Sequence, residues 1–236
     1  MKPRAKTAVV TVSLGRKMQA IGKLTHPLMR RYADEIRSDF VVIDRHVVAR
    51  RQAKFEKLQI YDLLKLYDRI LYLDTDIVVM PGCPNLFRQV PAGKFGAFFD
   101  SEVKDNDADI PVWRDEEIAY FQEKYGDIGW GSVYFNTGVM VLGKAHREIV
   151  NYHRGFHRGK RFIDQTQINY NFQKSGAAAF DLGTKFNYLL ALNHSKRQFD
   201  ARFENHILHY AGFEYFYKSE SLLDRIRRDV VRISRQ

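Results

Sequence analysis

Arg69-Ile-Leu-Tyr-Leu-Asp74-Thr-Asp76-Ile-Val-Val-Met80 is an apolar run that opens only to present two carboxylates and then closes again. A continuous apolar stretch of this length, rich in β-branched residues, reads as a strand buried on both faces. Ionised carboxylates are costly to bury unless they are paired or bound to a metal. Residues i and i+2 of a strand point the same way. Asp74 and Asp76, at or just past the strand's end, can therefore converge on one hard divalent cation, leaving positions for water and the oxygens of a diphosphate. The alternative is a pair of strand-end acids that face water.

The flanks of this run place it in a larger pattern. Residues 7–13 read as a first strand, followed after Gly15 by an amphipathic helical stretch to Asp34, and residues 40–43 as a second strand. Leu58, Tyr61, Leu63 and Leu64 give residues 55–66 a helical period, and the strand from Ile70 follows at once. The order β-α-β-α-β predicts an α/β fold, a mostly parallel sheet covered by helices. Ligands of such sheets bind beyond the carboxyl ends of the strands, where the Asp pair falls. Further on, residues 94–99 resume an extended run that ends in Asp100, residues 101–115 read as a polar acidic loop, and residues 134–142 as a strand interrupted by Asn136-Thr137-Gly138. Helical periods cover residues 145–158 and 162–173, with short extended pieces at 178–186 and 206–210. No internal repeat or linker composition marks a domain boundary.

The chain has 236 residues, 45% hydrophobic and 14% aromatic, enough for one substantial α/β core. No stretch approaches the ~20 apolar residues of a membrane span, and the apolar run after Met1 is too short for a signal peptide, so a cytoplasmic protein is expected. A net charge of +10 favours anionic partners: phosphorylated small molecules, membrane lipid or nucleic acid. The basic residues are spread along the chain and nucleic-acid recognition signatures are missing, so nucleic acid is not the expected partner. Cys83, the lone cysteine, sits in Pro-Gly-Cys-Pro as an ordinary turn residue. Asp105, Asp107, Asp109 and Glu116 have some of the spacing of a calcium loop, but Ile110 and Pro111 stand where its glycine is needed, and a solvated surface loop is favoured.

Four segments in order, Leu-Tyr-Leu-Asp74-Thr-Asp76, Tyr-Phe-Asn136-Thr-Gly138-Val, Asp164-Gln165-Thr-Gln-Ile-Asn169 and His206-Ile-Leu-His209-Tyr-Ala-Gly212, resemble the family 8 glycosyltransferases, retaining enzymes of the GT-A fold. The resemblance implies a single GT-A domain that moves a hexose from a nucleoside diphosphate sugar, UDP by family habit, to a saccharide or lipid-linked acceptor. It implies Asp74, Asp76 and His209 as ligands of Mn²⁺ or Mg²⁺, with His206 as the competing histidine. A cation there offsets the charge that builds on the leaving diphosphate. By the same resemblance Lys57, Asp100, Asn136 and Gly212 bind the donor, Lys57 as a point charge for phosphate. Asp164 and Gln165 lie beside the anomeric carbon, where either a carboxylate forms a covalent intermediate or Gln165 stabilises an oxocarbenium-like centre through its amide oxygen, the favoured reading. Asp164 also suits the N-cap of the helical segment after it.

Two departures from the family pattern are visible. Phe-Glu-Tyr-Phe-Tyr-Lys218 follows Gly212, so Lys218 is the candidate for a displaced phosphate lysine, and Ser13-Leu-Gly15 lacks the acidic and amide residues that often read uracil. A sugar nucleotidyltransferase, the competing enzyme, needs a glycine-rich loop that Ser-Leu-Gly-Arg-Lys does not supply. The remaining alternative is a basic membrane or nucleic-acid-binding module. Beyond a domain over residues 1–217, residues 218–236 read as a basic amphipathic helix with Leu222, Ile226, Val230 and Ile233 on one face and Arg225, Arg228, Arg232 and Arg235 on another. Such a helix suits an anionic membrane surface, or packs on the domain with its basic face in water.

Overall fold

A computed structural model of the protein describes residues 4–49, 52–100, 109–193 and 195–235. Its elements are β1 (Thr7–Val12), α1 (Gly15–Glu35), β2 (Asp39–Ile43), α2 (Ile60–Leu63), β3 (Arg69–Leu73), β4 (Ile77–Val79), α3 (Leu86–Gln89), β5 (Phe95–Phe98), α4 (Asp109–Tyr125) and β6 (Asn136–Gly143). They continue with α5 (Gln165–Ser175), β7 (Ala179–Asp181), β8 (Tyr188–Leu189), α6 (Lys196–Asp200), β9 (Ile207–His209), α7 (Phe213–Phe216) and α8 (Leu222–Ile233). The main sheet has the order β2-β1-β3-β6-β5-β7, and a small sheet the order β4-β9-β8. Every pairing in the main sheet is parallel except those made by β6, which runs against both β3 and β5.

Alternation along the buried strands fills both faces of the main sheet, as the apolar runs require. Ala8 and Val10 of β1 join Ile70 and Tyr72 of β3 in one core. Val9, Leu71 and Leu73 join Met29, Tyr32 and Ala33 of α1 in the other. A third cluster lies between α1, the small sheet and α8, where Leu222, Ile226 and Ile233 pack with Ile21, Leu28, Leu208 and Tyr210. At about 1.5–3 kcal/mol for each fully buried aliphatic side chain, those three residues anchor α8 firmly. Within that cluster Asp229 of α8 is 2% exposed and accepts from Arg202 Nε and Nη2, at 2.9 and 2.8 Å, and from the Tyr210 hydroxyl at 2.7 Å.

Several local expectations change. Residues 69–80 form no continuous strand: β3 ends at Leu73, the chain turns through Asp74–Asp76, closed by the Ile77 N–H on the Asp74 carbonyl at 3.2 Å, and β4 pairs in the other sheet. Residues 109–115, read as loop, begin α4; its apolar residues follow no single helical face, so periodicity gave no signal. Pro111 is tolerated because it falls in the first turn. Asp105 and Asp107 lie outside the described residues. Residues 53–59 and 144–154 wind mainly as 3₁₀ turns rather than α-helix. Cys83 is buried, and burial pushes its thiol up to about 12.

Candidate active site

A cleft of about 650 Å³ opens at the carboxyl ends of β1, β3 and β5, the expected edge of a parallel sheet. Antiparallel β6 brings its first residues to that same edge: Leu73 pairs with Val139, and the Asp74 N–H extends the ladder to the Gly138 carbonyl at 2.8 Å. Asn136 and Thr137 therefore stand beside Asp74.

The turn after β3 is held by its middle residue. Thr75 is buried, its hydroxyl on the Val12 carbonyl at the end of β1, while its own carbonyl accepts from Thr25 of α1 at 2.8 Å. β4 then pairs antiparallel with β9, Ile77 opposite His209, and the Tyr210 N–H donates to the Asp76 carbonyl at 3.1 Å. This register sets His209 next to both acids. Its Nε2 lies 3.5 Å from Asp76 Oδ1 and 3.7 Å from Asp74 Oδ2. One ligand atom from each of Asp74, Asp76 and His209 lies within 4.8 Å of the others.

His209 is 1% exposed, and its Nε2, buried and aimed at two carboxylates, has no hydrogen-bond partner among the described residues. An orphaned nitrogen facing two carboxylates fits a cation, since burial of an unpaired polar atom otherwise costs about 1–3 kcal/mol. Gly138 gives the ring its room: a Cβ there would fall inside contact distance of the imidazole. His206, just before β9, packs its ring at a tilt against Phe186 instead, with centroids 4.9 Å apart.

Lys57 comes from the 3₁₀ segment Ala53–Gln59, whose neighbouring Glu56 is spent on the loop after β2, accepting the N–H groups of Val47, Val48 and Ala49 at 2.8–3.0 Å. The Lys57 ammonium lies 2.7 Å from Asp164 Oδ2, 3.3 Å from Asp74 Oδ1 and 3.2 Å from the Thr137 hydroxyl. Burial works against its charge, but Asp164 and then Asp74 outweigh burial and hold the ammonium above the ordinary lysine range. Tyr72 donates to Asp74 Oδ1 at 2.7 Å, and burial next to that carboxylate keeps the phenol neutral. The carboxylates of Asp74, Asp76 and Asp164 outnumber the Lys57 ammonium by two, a surplus equal in size and opposite in sign to the charge of one divalent cation.

Asp164 is the N-cap residue of α5 by position, yet its side chain makes no capping bond and turns to Lys57. Gln165 Oε1 accepts from Asn136 Nδ2 at 3.0 Å and from the Thr137 N–H at 3.4 Å, so the amide oxygen is held against β6. Asp100, two residues past the end of β5, lies on the cleft wall; burial pushes its carboxyl up to about 8 against the pull of Arg114, and its Oδ1 has no hydrogen-bond partner among the described residues. Gly212, at φ +71°, caps α7; a Cβ there would meet the Ala191 Cβ at 2.9 Å. Lys218 does not line the cleft: it follows α7, its ammonium 5.9 Å from the Tyr215 ring.

Several residues that line the cleft carry no motif in the sequence. Trp113 and Arg114 arrive on α4, the helix that periodicity missed, and Arg161 lies over the Trp113 ring at 4.9 Å. Trp113 meets Tyr215 edge-on at 5.5 Å, forming an aromatic wall. Asn187, fully buried between Asn136 and His209, had no motif to announce it.

Comparison with known proteins bears on this site. The sequence model of glycosyl transferase family 8 matches residues 48–215. Among solved structures, a glycosyltransferase involved in the glycosylation of the major capsid of PBCV-1 superposes with a TM-score of 0.61 at 12% identity, covering 94% of this chain and 98% of that one. The bifunctional glycosyltransferase WbbM gives 0.64 at 16% identity over 98% of this chain and 50% of its own. The galactosyltransferase LgtC, in complex with donor and acceptor sugar analogs, gives 0.50 at 17% identity over 94% and 95%. At these identities the structures speak to the fold. Curated proteins give no match.

Proposed function

The chain belongs to glycosyl transferase family 8, has the GT-A fold and is a glycosyltransferase, and from that premise we propose that it moves a hexose from a UDP-sugar to a saccharide or lipid-linked acceptor with retention, using Mn²⁺ or Mg²⁺ held by Asp74, Asp76 and His209. The observation that carries this reading is the convergence of those three side chains at the cleft, with a buried His209 Nε2 that has no hydrogen-bond partner among the described residues and faces two carboxylates. When bound, the cation neutralises the donor diphosphate and stabilises the charge it gains as the sugar–phosphate bond breaks.

The remaining steps belong to the chain's own groups. Lys57 offers a second positive charge beside the diphosphate and is pre-positioned by Asp164 and Asp74. Asp100, held partly protonated near neutral pH, and Asn136 address the sugar hydroxyls, and Gly212 lets the backbone approach the phosphates. Asp164 is committed to Lys57 at 2.7 Å, which disfavours it as a covalent nucleophile. Gln165 is a poor nucleophile, but its carbonyl dipole, fixed by two donors, places partial negative charge where an oxocarbenium-like centre develops. The acceptor hydroxyl then forms the new glycosidic bond on the leaving-group face as the sugar–phosphate bond breaks, its proton passing to the departing diphosphate oxygen, and retention follows. Trp113, Tyr215 and Phe216 line the cleft with aromatic rings against which a sugar ring can pack.

For partners, the structure narrows the membrane reading. No helix among the described residues is long and apolar enough to cross a membrane. Leu222, Ile226 and Ile233 of α8 are taken up by the core and Val231 alone of its apolar residues is exposed, so an anionic surface would be met by arginines such as Arg232 and Arg235 rather than by an inserted apolar face. Incubation with UDP-sugars and Mn²⁺, followed by ¹H NMR of the first product, tests the proposal: UDP release with an α-configured product from an α-donor is expected. No UDP release from any hexose donor would contradict the activity, and an inverted product would contradict the role given to Gln165.

A further inference from the structure

A row of side-chain amides links His209 to Gln165. His209 Nδ1 lies 2.9 Å from Asn187 Oδ1, Asn187 Nδ2 lies 3.0 Å from Asn136 Oδ1, and Asn136 Nδ2 lies 3.0 Å from Gln165 Oε1. Amide oxygens and nitrogens, and the two imidazole nitrogens, must be told apart by their partners. Here two backbone groups, which can only donate, do so. The Gly138 N–H points at one end of the Asn136 amide at 2.9 Å, which must therefore be its oxygen. Asn187 then has to present its NH₂ to that oxygen, and so turns its own oxygen to His209. An oxygen facing Nδ1 requires a proton on Nδ1. The Thr137 N–H likewise fixes Gln165 Oε1 at the other end of the row, which agrees with the orientation of Asn136.

We propose that Asn187 is a positioning residue: it relays the polarity of the Gly138 N–H to His209, holding the neutral imidazole in its Nδ1–H tautomer so that Nε2 offers a bare lone pair to the cation. The inference rests on the reading that Asp74, Asp76 and His209 hold a divalent ion. It is not what the nearest charges would choose, because two carboxylates at 3.5 and 3.7 Å favour a proton on Nε2. Asn187 is 0% exposed and His209 1%, so water does not compete for Nδ1. Outer-sphere partners of this kind typically change metal affinity by about 10–100-fold when removed.

The test has two readouts on the full chain. Two-bond ¹H–¹⁵N NMR of the metal-free protein, at a pH where the imidazole is neutral, with His209 identified by its absence in His209→Gln, reads the tautomer directly. We expect Nδ1–H in the wild type, a shift toward Nε2–H in Asn187→Leu, and Nδ1–H again in Asn187→Asp, whose carboxylate still accepts from His209. Electron paramagnetic resonance of free Mn²⁺ should show affinity weakened by about 10–100-fold in Asn187→Leu and largely restored in Asn187→Asp, with circular dichroism confirming the fold of each. An Nε2–H imidazole in the wild type overturns the proposal whether or not the variants fold. So does an Asn187→Leu protein that binds Mn²⁺ as the wild type does. A wild type with the expected tautomer but no Mn²⁺ affinity would instead reject the metal reading while upholding the relay.

Discussion

Replacing Lys57 by Met removes a charge from the centre of the site while keeping the aliphatic stem. In the wild type the ammonium is the cation shared by Asp164 at 2.7 Å and Asp74 at 3.3 Å, with side-chain exposures of 6%, 10% and 29%. Removing one partner of a buried ion pair leaves an uncompensated charge and costs about 3–5 kcal/mol. A domain of this size loses roughly 2–4 °C of Tm per kcal/mol, so Lys57→Met should melt about 6–20 °C below the wild type. Because the Lys57 ammonium is raised in the fold, its contribution is complete at every pH below the ordinary lysine value of about 10.4 and is lost only as pH rises through the higher folded value. Differential scanning calorimetry at pH 7 is the assay. Lys57→Met/Asp164→Asn should recover a large part of the loss, giving a non-additive cycle, and Mn²⁺ should raise the Tm of Lys57→Met by more than that of the wild type, since the carboxylates now lack their ammonium. A Lys57→Met protein that melts with the wild type, or strict additivity with Asp164→Asn, would refute the reasoning.

Gly138→Ala places a Cβ against the His209 ring and should weaken Mn²⁺ binding and cost about 1–3 kcal/mol of stability, read by titration and thermal melting. Asp100→Asn should stabilise the metal-free protein increasingly as pH rises from 5 to 8, because a carboxyl at about 8 in the fold and near 3.9 when unfolded penalises folding over that interval; a pH-independent Tm difference would speak against it. Asp229→Ala strands the buried Arg202 and should lower Tm by an amount that Arg202→Met/Asp229→Leu largely restores. Arg232→Glu/Arg235→Glu should abolish salt-sensitive sedimentation with anionic liposomes without changing donor binding, if α8 meets a membrane through its charges.

The parts of this architecture that repeat were legible from residues alone. The alternation of apolar runs and helical periods over residues 7–80 led to the parallel core, and the apolar flanks of Asp74 and Asp76 marked the candidate site. What the chain does between those acids was not legible, because a strand that leaves one sheet for another keeps the same apolar composition throughout. Pairing β4 with β9 supplies His209, and that partner lies more than 130 residues away in sequence (209 − 77 = 132). The helix α4 escaped because, among its described side chains, only Glu117 and Phe121 are fully buried, and a carboxylate and one phenylalanine a turn apart give no apolar period to read. The polar segment 53–59 gave Lys57 no visible burial, since its burial is created by Asp164 and Thr137 arriving from far along the chain. Asn187 was invisible for the same reason: a lone asparagine acquires meaning only from the nitrogen and oxygen on either side of it.

The most direct test of the central claim is thermal unfolding of wild type and Asp76→Ala with UDP, GDP, CDP or ADP, each with Mn²⁺, Mg²⁺ or EDTA. A ligand at about 100 times its Kd stabilises by about 2.7 kcal/mol. The account predicts a rise in Tm with UDP that requires the divalent ion and vanishes in Asp76→Ala. A UDP shift of equal size in EDTA, or one that survives Asp76→Ala, would contradict it.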